Sequence, residues 1–291
     1  MMIPEALLSS ITGVLSVDAP RAPRTALVFD SPHSGLQLPL NFHPAVSPEM
    51  VRVASDTYVD ELFESAPDYG APLLRAHFPR SFLDVNRSDQ DVDLEMIEGD
   101  WPHPMRENAA AKRGMGLSWR YAWGDTPMHD RKLTVAEMEA RIETYWRPYH
   151  SRLESLLDDT YASFGTVYHI DCHSMPAIGH ALSPDPAGTV RADFVIGDYD
   201  GESCEPALTD LICTTVEGLG YSVARNIPFK GAELVRRYSD PAKGRHSIQI
   251  EVNRRLYMDE KSRARSDGFT NLQGAITRLN AALHDYVAAR T

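Results

Sequence analysis

The chain has 291 residues, of which 43% are hydrophobic and 24% charged, a composition typical of a globular protein. Its formal net charge of −12 argues against nucleic acid or an anionic membrane as the main partner, but leaves a small anionic ligand possible at a local arginine cluster. No run of about 18 apolar residues is present, so we expect no membrane-spanning helix.

In chain order, the first strand is predicted at 25–30, and a helix should begin at Ser47, which caps a proline-initiated turn. The longest helix is predicted to start at Thr134, where Glu137 completes a capping box and apolar residues recur at helical spacing. Pro148 should kink that helix. Further strands are predicted at 166–171, 193–198 and 247–253, and further helices at 206–219 and 267–289.

Strands that alternate with helices predict an α/β fold, with a mixed sheet covered by helices on both faces. We find no repeat, low-complexity tract or linker, so we expect residues 1–291 to form a single domain. The segment 84–130 has little periodicity and many polar residues, which favours long functional loops. The first 20 residues lack the basic cluster of a signal peptide, and the cysteines lack metal-site spacing, so we expect a cytoplasmic protein with reduced thiols.

Two histidines follow apolar strands directly, and each has a small residue beside it. His33 comes just after the strand 25–30, and His173 after the strand 166–171. Ligands of open α/β sheets bind at the carboxyl ends of strands, so the two imidazoles could meet there and bind zinc. His169 and Asp171 share a face with His173 if the strand continues, and could orient a ligand imidazole.

A carboxylate would complete such a metal site, and the segment 55–63 offers candidates. If this segment is a helix, Asp56 lies about 70° from the centre of its apolar stripe and Asp60 about 110°. We therefore expect Asp56 to be the third ligand, with Asp60 as the second choice.

Glu251 lies inside the apolar strand 247–253, where a valine or isoleucine would be expected. Burial without a partner raises the pKa of a carboxylate, as a general base acting on water requires. The alternative is a buried ion pair with Arg254 or Arg255.

Several arginines lie near these segments in an otherwise acidic chain, which indicates an anionic substrate because guanidinium groups bind carboxylates in bidentate fashion. Arg87 is the strongest candidate, since it directly follows an apolar segment. The remaining arginines of this group are Arg80, Arg236, Arg237, Arg245, Arg254 and Arg255.

Five motifs, in order from about residue 25 to 285, resemble those of the N-formylglutamate amidohydrolases, also called N-formylglutamate deformylases. They are PHSG (32–35), SDTYVDELF (55–63), FPRSFLDVNRSDQDVD (78–93), HIDCHSMP (169–176) and GRHSIQIEVNRRLYMDE (244–260). The resemblance implies a metal-dependent hydrolase of histidine degradation that splits N-formyl-L-glutamate into formate and L-glutamate. It also implies a fold similar to zinc carboxypeptidases and aspartoacylases.

The resemblance also implies residue roles. His33 and His173 look like metal ligands, Asn86-Arg87 like the pair that holds a substrate carboxylate, and Glu251 like the base. Arg80 and Arg254 are expected to contact the substrate as well. One departure is that the carboxypeptidase pattern has its metal carboxylate three residues after the first histidine, where this chain has Leu36. The carboxylate must therefore come from elsewhere, and Asp56 remains the inference from helix geometry.

Zinc is the expected metal, although manganese, cobalt and nickel accept similar ligands. Two other functions stay open: hydrolysis of a different N-acyl amino acid, and binding of an acidic metabolite without catalysis. A Ser/His/Asp hydrolase is disfavoured because no G-x-S-x-G motif is present. The sequence does not define the oligomeric state.

Overall fold

A seven-stranded mixed sheet organises the protein in a computed structural model that describes residues 2–291. The eleven strands of the described residues are β1 Leu15–Asp18, β2 Leu27–Ser31, β3 Leu73–Ala76, β4 Ile97–Glu98, β5 Tyr121–Trp123, β6 Thr126–Pro127, β7 Leu133–Thr134, β8 Val167–Met175, β9 Phe194–Gly197, β10 Val223–Arg225 and β11 Arg245–Asn253. The order in the large sheet is β1-β3-β2-β8-β11-β9-β10. Strands β3, β2, β8 and β11 run parallel, whereas β1 pairs antiparallel with β3 and β9 antiparallel with β11.

Helices cover both faces of this sheet. The α-helices are α1 Glu5–Leu8, α2 Pro48–Arg52, α3 Val59–Leu62, α4 Ala109–Lys112, α5 Val135–Arg141, α6 Arg147–Phe164, α7 Pro206–Gly218, α8 Glu233–Tyr238 and α9 Phe269–Ala288. Apolar residues of α3, α7 and α9 pack on one face, and those of α5 and α6 pack on the other. The prediction of a mixed α/β sheet with helices on both faces is confirmed. No helix within residues 2–291 is long and apolar enough to cross a bilayer.

The central strand β8 is buried along its whole length, so both of its faces are covered. Its alternate residues Tyr168, Ile170 and Cys172 join the core beneath α7 and α9. Because successive side chains point to opposite faces of a strand, the polar residues His169, Asp171 and His173 all face the other way. Strand β8 therefore has one apolar face and one face that carries buried polar groups.

The long helix predicted from Thr134 is present, and its capping box with Glu137 is formed. A π-helical segment, Ile142–Trp146, separates α5 from α6 directly before Pro148. Proline lacks an N–H and clashes with the carbonyl four residues earlier, and a widened turn accommodates both effects. The Ser47 cap of α2 is also formed, with Met50 N donating to its Oγ at 3.4 Å.

The prediction of one helix over 55–63 is wrong. Helix α3 begins only at Val59, and Tyr58 before it has a left-handed backbone with φ of 68°. Asp56 therefore lies in a turn and not on a helix face. The segment 84–130 is mostly loop, as predicted, and contains only short elements.

Candidate active site

Three side chains converge at the carboxyl ends of β2 and β8. Nδ1 of His33 lies 3.1 Å from Nδ1 of His173, and the latter lies 3.1 Å from Oδ2 of Asp56. The third distance, from His33 Nδ1 to Asp56 Oδ2, is 3.5 Å, and all three residues are buried. The structure thus brings together the three residues that the sequence proposed as metal ligands, which we call the His33–Asp56–His173 group.

Asp56 reaches this group because its turn is tied to the end of β2. Asp56 N donates to His33 O at 2.9 Å, and Ser34 Oγ donates to Asp56 O at 2.9 Å. On its other side, Arg254 Nη2 donates to Asp56 Oδ1 at 2.8 Å, leaving Oδ2 to face the histidines. The second candidate, Asp60, lies elsewhere and forms an ion pair with Arg75 at 3.1 Å.

Asp84 fixes which ring nitrogen of the neutral His33 imidazole carries the hydrogen. Its Oδ1 lies 2.7 Å from His33 Nε2, and its Oδ2 accepts from Arg80 Nη2 at 2.8 Å. Burial opposes the ionisation of Asp84, but Arg80 and His33 outweigh it and hold the pKa of this carboxyl well below its usual value. A carboxylate only accepts hydrogen bonds, so Nε2 of His33 donates and its Nδ1 presents a lone pair to the group in the neutral imidazole.

His173 has acidic neighbours on both sides of its ring. Its Nε2 lies 2.7 Å from Asp171 Oδ1, although without the alignment of a hydrogen bond, and 3.2 Å from Asn86 Nδ2. Burial lowers the pKa of His173, yet Asp171 and Asp56 outweigh it and raise that pKa well above its usual value. The negative charges around this ring therefore favour a positive charge at the site.

The chemistry of this donor set fits a divalent metal. Ligand atoms about 2.0–2.1 Å from a tetrahedral zinc ion lie about 3.3 Å from one another, close to the spacing of these three atoms. Two imidazole nitrogens and one carboxylate oxygen are also a common set in catalytic sites that leave a position open. The His33–Asp56–His173 group could therefore hold a divalent metal.

Glu251 lies beside this group, paired in register with His173 on the adjacent strand. Its Oε1 accepts from Gln249 Nε2 at 3.0 Å, whereas its Oε2 has no hydrogen-bond partner among residues 2–291. Burial raises the pKa of Glu251 to about 7. The alternative of an ion pair is wrong, since Arg254 pairs with Asp56 and Arg255 pairs with Asp193.

A cavity of about 280 Å³ opens next to these residues and has a cationic wall. His173 and Glu251 line it, as do all four residues that the sequence proposed for substrate binding: Arg80, Asn86, Arg87 and Arg254. Arg87 Nε donates to Met115 O at 3.1 Å and its Nη1 donates to Asn86 O at 2.9 Å. These bonds fix the guanidinium through backbone carbonyls and leave its charge without a carboxylate partner among the described residues.

Sequence reasoning missed some residues and placed others correctly on one face of β8. Asp84, the hydrogen-bond partner of His33, belongs to the polar segment 84–87 that follows an apolar segment, but sequence reasoning assigned it no role of its own. Asp171 does contact His173, as proposed. His169 does not, because its Nδ1 bonds Ser247 Oγ at 2.8 Å and its Nε2 bonds Asp30 Oδ1 at 3.0 Å.

An α/β sheet with such a group at its carboxyl edge, an acid of raised pKa beside it and a cationic cavity is an arrangement suited to hydrolysis of an anionic substrate. Comparison with known proteins narrows this class. The family model for N-formylglutamate amidohydrolase matches residues 25–258. The chain belongs to that family, which confirms the resemblance and the prediction of a hydrolase acting on an amide bond.

Individual relatives agree with the family assignment. The crystal structure of an N-formylglutamate amidohydrolase from Ralstonia eutropha JMP134 superposes with a TM-score of 0.90 at 41% sequence identity, covering 96% of this chain and all of that one. An N-formylglutamate deformylase from Pseudomonas putida is 32% identical over 247 residues, which are 81% of this chain and 83% of that protein. A protein of the same name from Pseudomonas aeruginosa is 30% identical over 250 residues, with coverages of 82% and 84%.

Proposed function

We propose that this protein hydrolyses N-formyl-L-glutamate to formate and L-glutamate. The observation that carries the proposal is the position of Glu251 Oε2, which has no partner within residues 2–291 and lies in a cationic cavity beside the His33–Asp56–His173 group. The names of the relatives supply the substrate. The guanidinium of Arg87, which lines the cavity without an ion-pair partner among the described residues, suits the negative charge of N-formyl-L-glutamate.

His33, Asp56 and His173 would hold the metal through Nδ1, Oδ2 and Nδ1. A divalent metal supplies Lewis-acid polarisation of the formyl carbonyl and lowers the pKa of water. Asp84 keeps the lone pair of His33 Nδ1 available, and Arg254 orients Asp56 through the hydrogen bond to its other oxygen. We infer zinc from this donor set of two nitrogens and one oxygen.

Glu251 acts as the base. Its Oε2 takes a proton from the attacking water as the new carbon–oxygen bond forms at the formyl carbon. The same carboxyl then returns the proton to the amide nitrogen, so that the carbon–nitrogen bond breaks and glutamate leaves with formate as the second product. A pKa near 7 suits both directions of this transfer at neutral pH.

Asn86 and Arg87 bind the α-carboxylate of the substrate in this proposal. Arg87 is already fixed by two backbone carbonyls, so little conformational freedom is lost on binding. Arg80 and Arg254 also line the cavity, and each is paired with a carboxylate, Asp84 and Asp56 respectively. We assign these two to stabilising the negative charge that develops on the formyl oxygen.

We also propose that the protein is a single cytoplasmic domain. The seven-stranded sheet combines β1–β3 from the first part of the chain with β8–β11 from the last part. The two other sheets of the described residues have only two strands each, so the chain does not divide into separate sheets of comparable size. The cysteines Cys172, Cys204 and Cys213 are buried free thiols, which suits a reducing compartment.

The direct test is release of formate from N-formyl-L-glutamate by the purified protein, before and after chelation and after zinc is added back. The proposal expects turnover that disappears with the chelator and returns with the metal. N-acetyl-L-glutamate serves as the comparison substrate, and a higher kcat/KM on it would identify a different acyl-amino acid hydrolase. Tight binding of N-formyl-L-glutamate without turnover in any metal would show a binding protein instead.

A further inference from the structure

The cavity wall contains six cationic side chains, and most of them are already neutralised. Arg80, Arg191, Lys230 and Arg254 each form an ion pair, with Asp84, Asp185, Asp200 and Asp56 respectively. The two others, Arg87 and Arg113, have no carboxylate partner within residues 2–291. The cavity therefore holds two guanidinium groups without ion-pair partners in the described part of a protein whose net charge is −12.

Arg113 and Arg87 lie on neighbouring parts of the same wall. Arg87 Nε donates to Met115 O, which ties the 113–115 segment to Arg87. Burial lowers the pKa of the Arg87 guanidinium, Asp84 and Asp91 oppose this effect, and the positive charges of Arg80 and Arg113 add smaller contributions that lower it further. Two unpaired guanidinium groups close enough to affect each other are unfavourable unless an anion binds between or beside them.

The backbone presents Arg113 to the cavity through a sharp turn. Helix α4 ends at Lys112, and Gly114 follows with φ of 78°. A Cβ on Gly114 would lie 2.5 Å from the Tyr121 ring, so the turn depends on glycine both for its backbone and for this close approach. The side chain of Arg113 makes no hydrogen bond within the described residues, and its Nε is buried without a partner.

We propose that Arg113 binds the side-chain carboxylate of the substrate and so determines the preference for a dicarboxylic acyl-amino acid. This inference rests on the proposed function, in which Arg87 binds the α-carboxylate. Two free guanidinium groups then match the two carboxylates of N-formylglutamate, one for each. A substrate with a neutral side chain would leave the half-buried Arg113 without a counter-charge, and the enzyme would discriminate against it.

The first test is binding of simple acids, since it does not depend on the identity of the substrate. Glutarate carries two carboxylates and butyrate one, and binding of each is measured by calorimetry to the wild type and to Arg113→Ala. We expect Arg113→Ala to weaken glutarate binding by about 10- to 100-fold, as loss of one charge-assisted contact would, and to change butyrate binding by less than about threefold. If Arg113→Ala weakens the binding of both acids equally, or of neither, the inference is overturned.

Lys112→Ala is the matched control, because it removes the same charge from the adjacent residue, whose ammonium pairs with Glu107 on the surface. Lys230→Ala is a second control. Lys230 also lines the cavity, and its only ion pair within residues 2–291 is with Asp200 at the surface. Both should bind glutarate as the wild type does. If Lys230→Ala loses glutarate affinity while Arg113→Ala retains it, Lys230 and not Arg113 binds the second carboxylate.

Kinetics separate failure of this inference from failure of the proposed function. If the wild type hydrolyses N-formyl-L-glutamate, Arg113→Ala should raise KM for it by about 10- to 100-fold and leave KM for N-formyl-L-glutamine nearly unchanged. Equal increases on both substrates would reject the role of Arg113 and leave the function intact. If the wild type hydrolyses neither substrate, the function is wrong, and the glutarate and butyrate measurements still decide whether Arg113 binds a second carboxylate.

Discussion

His33 and Asp84 form a hydrogen bond of 2.7 Å between Nε2 and Oδ1, and both side chains are buried. This bond places the proton of His33 on the nitrogen remote from His173 and Asp56. Its effect is to leave the lone pair of Nδ1 directed toward the two other members of the group. A second buried pair outside the His33–Asp56–His173 group, His169 and Asp30, has the same kind of contact, with a distance of 3.0 Å from Nε2 to Oδ1.

Asp84→Asn should weaken metal binding. An amide oxygen accepts a hydrogen bond from His33 Nε2 less strongly than a carboxylate does, and the amide group, which can also donate, no longer fixes the tautomer of His33. We expect an increase of about 10- to 100-fold in the metal dissociation constant, measured by competition with a chromophoric chelator. Asp30→Asn is the control, since it makes the same change in an Asp–His pair outside the His33–Asp56–His173 group. Similar metal affinities in the two variants would show that the Asp84 bond has no special role.

Glu251→Gln should keep the metal and lose turnover. The amide preserves the shape and the contact with Gln249 but cannot take a proton, so we expect kcat to fall by about 10²- to 10⁴-fold at unchanged metal content. Glu205→Gln is the matched control, because Glu205 accepts hydrogen bonds from Tyr168 and Tyr286 and does not line the cavity. A Glu251→Gln enzyme with near wild-type kcat would remove Glu251 from the base role.

The rate should rise with pH through the ionisation of Glu251. The base works only when deprotonated, and burial raises its pKa to about 7, so kcat/KM should fall on the acid side of neutrality. A divalent cation held by the His33–Asp56–His173 group would stabilise the Glu251 carboxylate and lower this midpoint. The measurement is a pH profile of kcat/KM at saturating metal. A flat profile between about pH 5 and pH 8 would contradict this expectation.

His150 should make the protein less stable in acid. Its Nε2 donates to Val85 O at 2.9 Å and its Nδ1 lies 2.8 Å from Tyr238 Oη, which suits the neutral ring, and burial lowers its pKa from 6.5 to about 3. Between these two values the unfolded chain binds more protons than the folded one. The free energy of unfolding therefore falls as the pH falls through this window.

The size of this effect is a few kcal/mol, since one pKa unit corresponds to about 1.4 kcal/mol. His150→Gln lacks the titrating group, so its unfolding free energy in urea should depend less on pH than that of the wild type, even though the variant is less stable at neutral pH. His43→Gln, at an exposed position, should retain the wild-type pH dependence. An identical pH dependence in His150→Gln and the wild type would show that His150 does not account for the acid sensitivity.

The sequence predicted the elements well where periodicity and capping act locally. Strands β2, β8, β9 and β11 lie within two residues of their predicted starts, because continuous apolar runs identify strands covered on both faces. Strand β8 extends beyond its predicted end and includes His173. Polar residues can continue a strand when neighbouring strands and side chains provide hydrogen-bond partners for them. Such partners are not visible in the local pattern.

The sequence selected Asp56 from a helix that does not include this residue, yet Asp56 does lie beside the two histidines. The helix assumed over 55–63 does not exist at Asp56, and the left-handed Tyr58 and the hydrogen bond from Asp56 N to His33 O create its position. That bond joins segments 23 residues apart, which a helical wheel cannot represent. For the same reason the sequence assigned no role to Asp84 or Arg113, whose significance depends on contacts with other parts of the chain.

The sequence alone identified four strands of the seven-stranded sheet, β2, β8, β9 and β11, and placed His33, His173 and Glu251 near their carboxyl ends, because burial and side-chain alternation are local consequences of residue type. It also determined the family through the order of its motifs. Only the tertiary structure decided that Asp56, rather than Asp60, meets the histidines, and that Arg254 pairs with Asp56 and not with Glu251. Those outcomes depend on distances of a few ångströms between residues up to 198 positions apart, and such distances are set by packing of the whole chain.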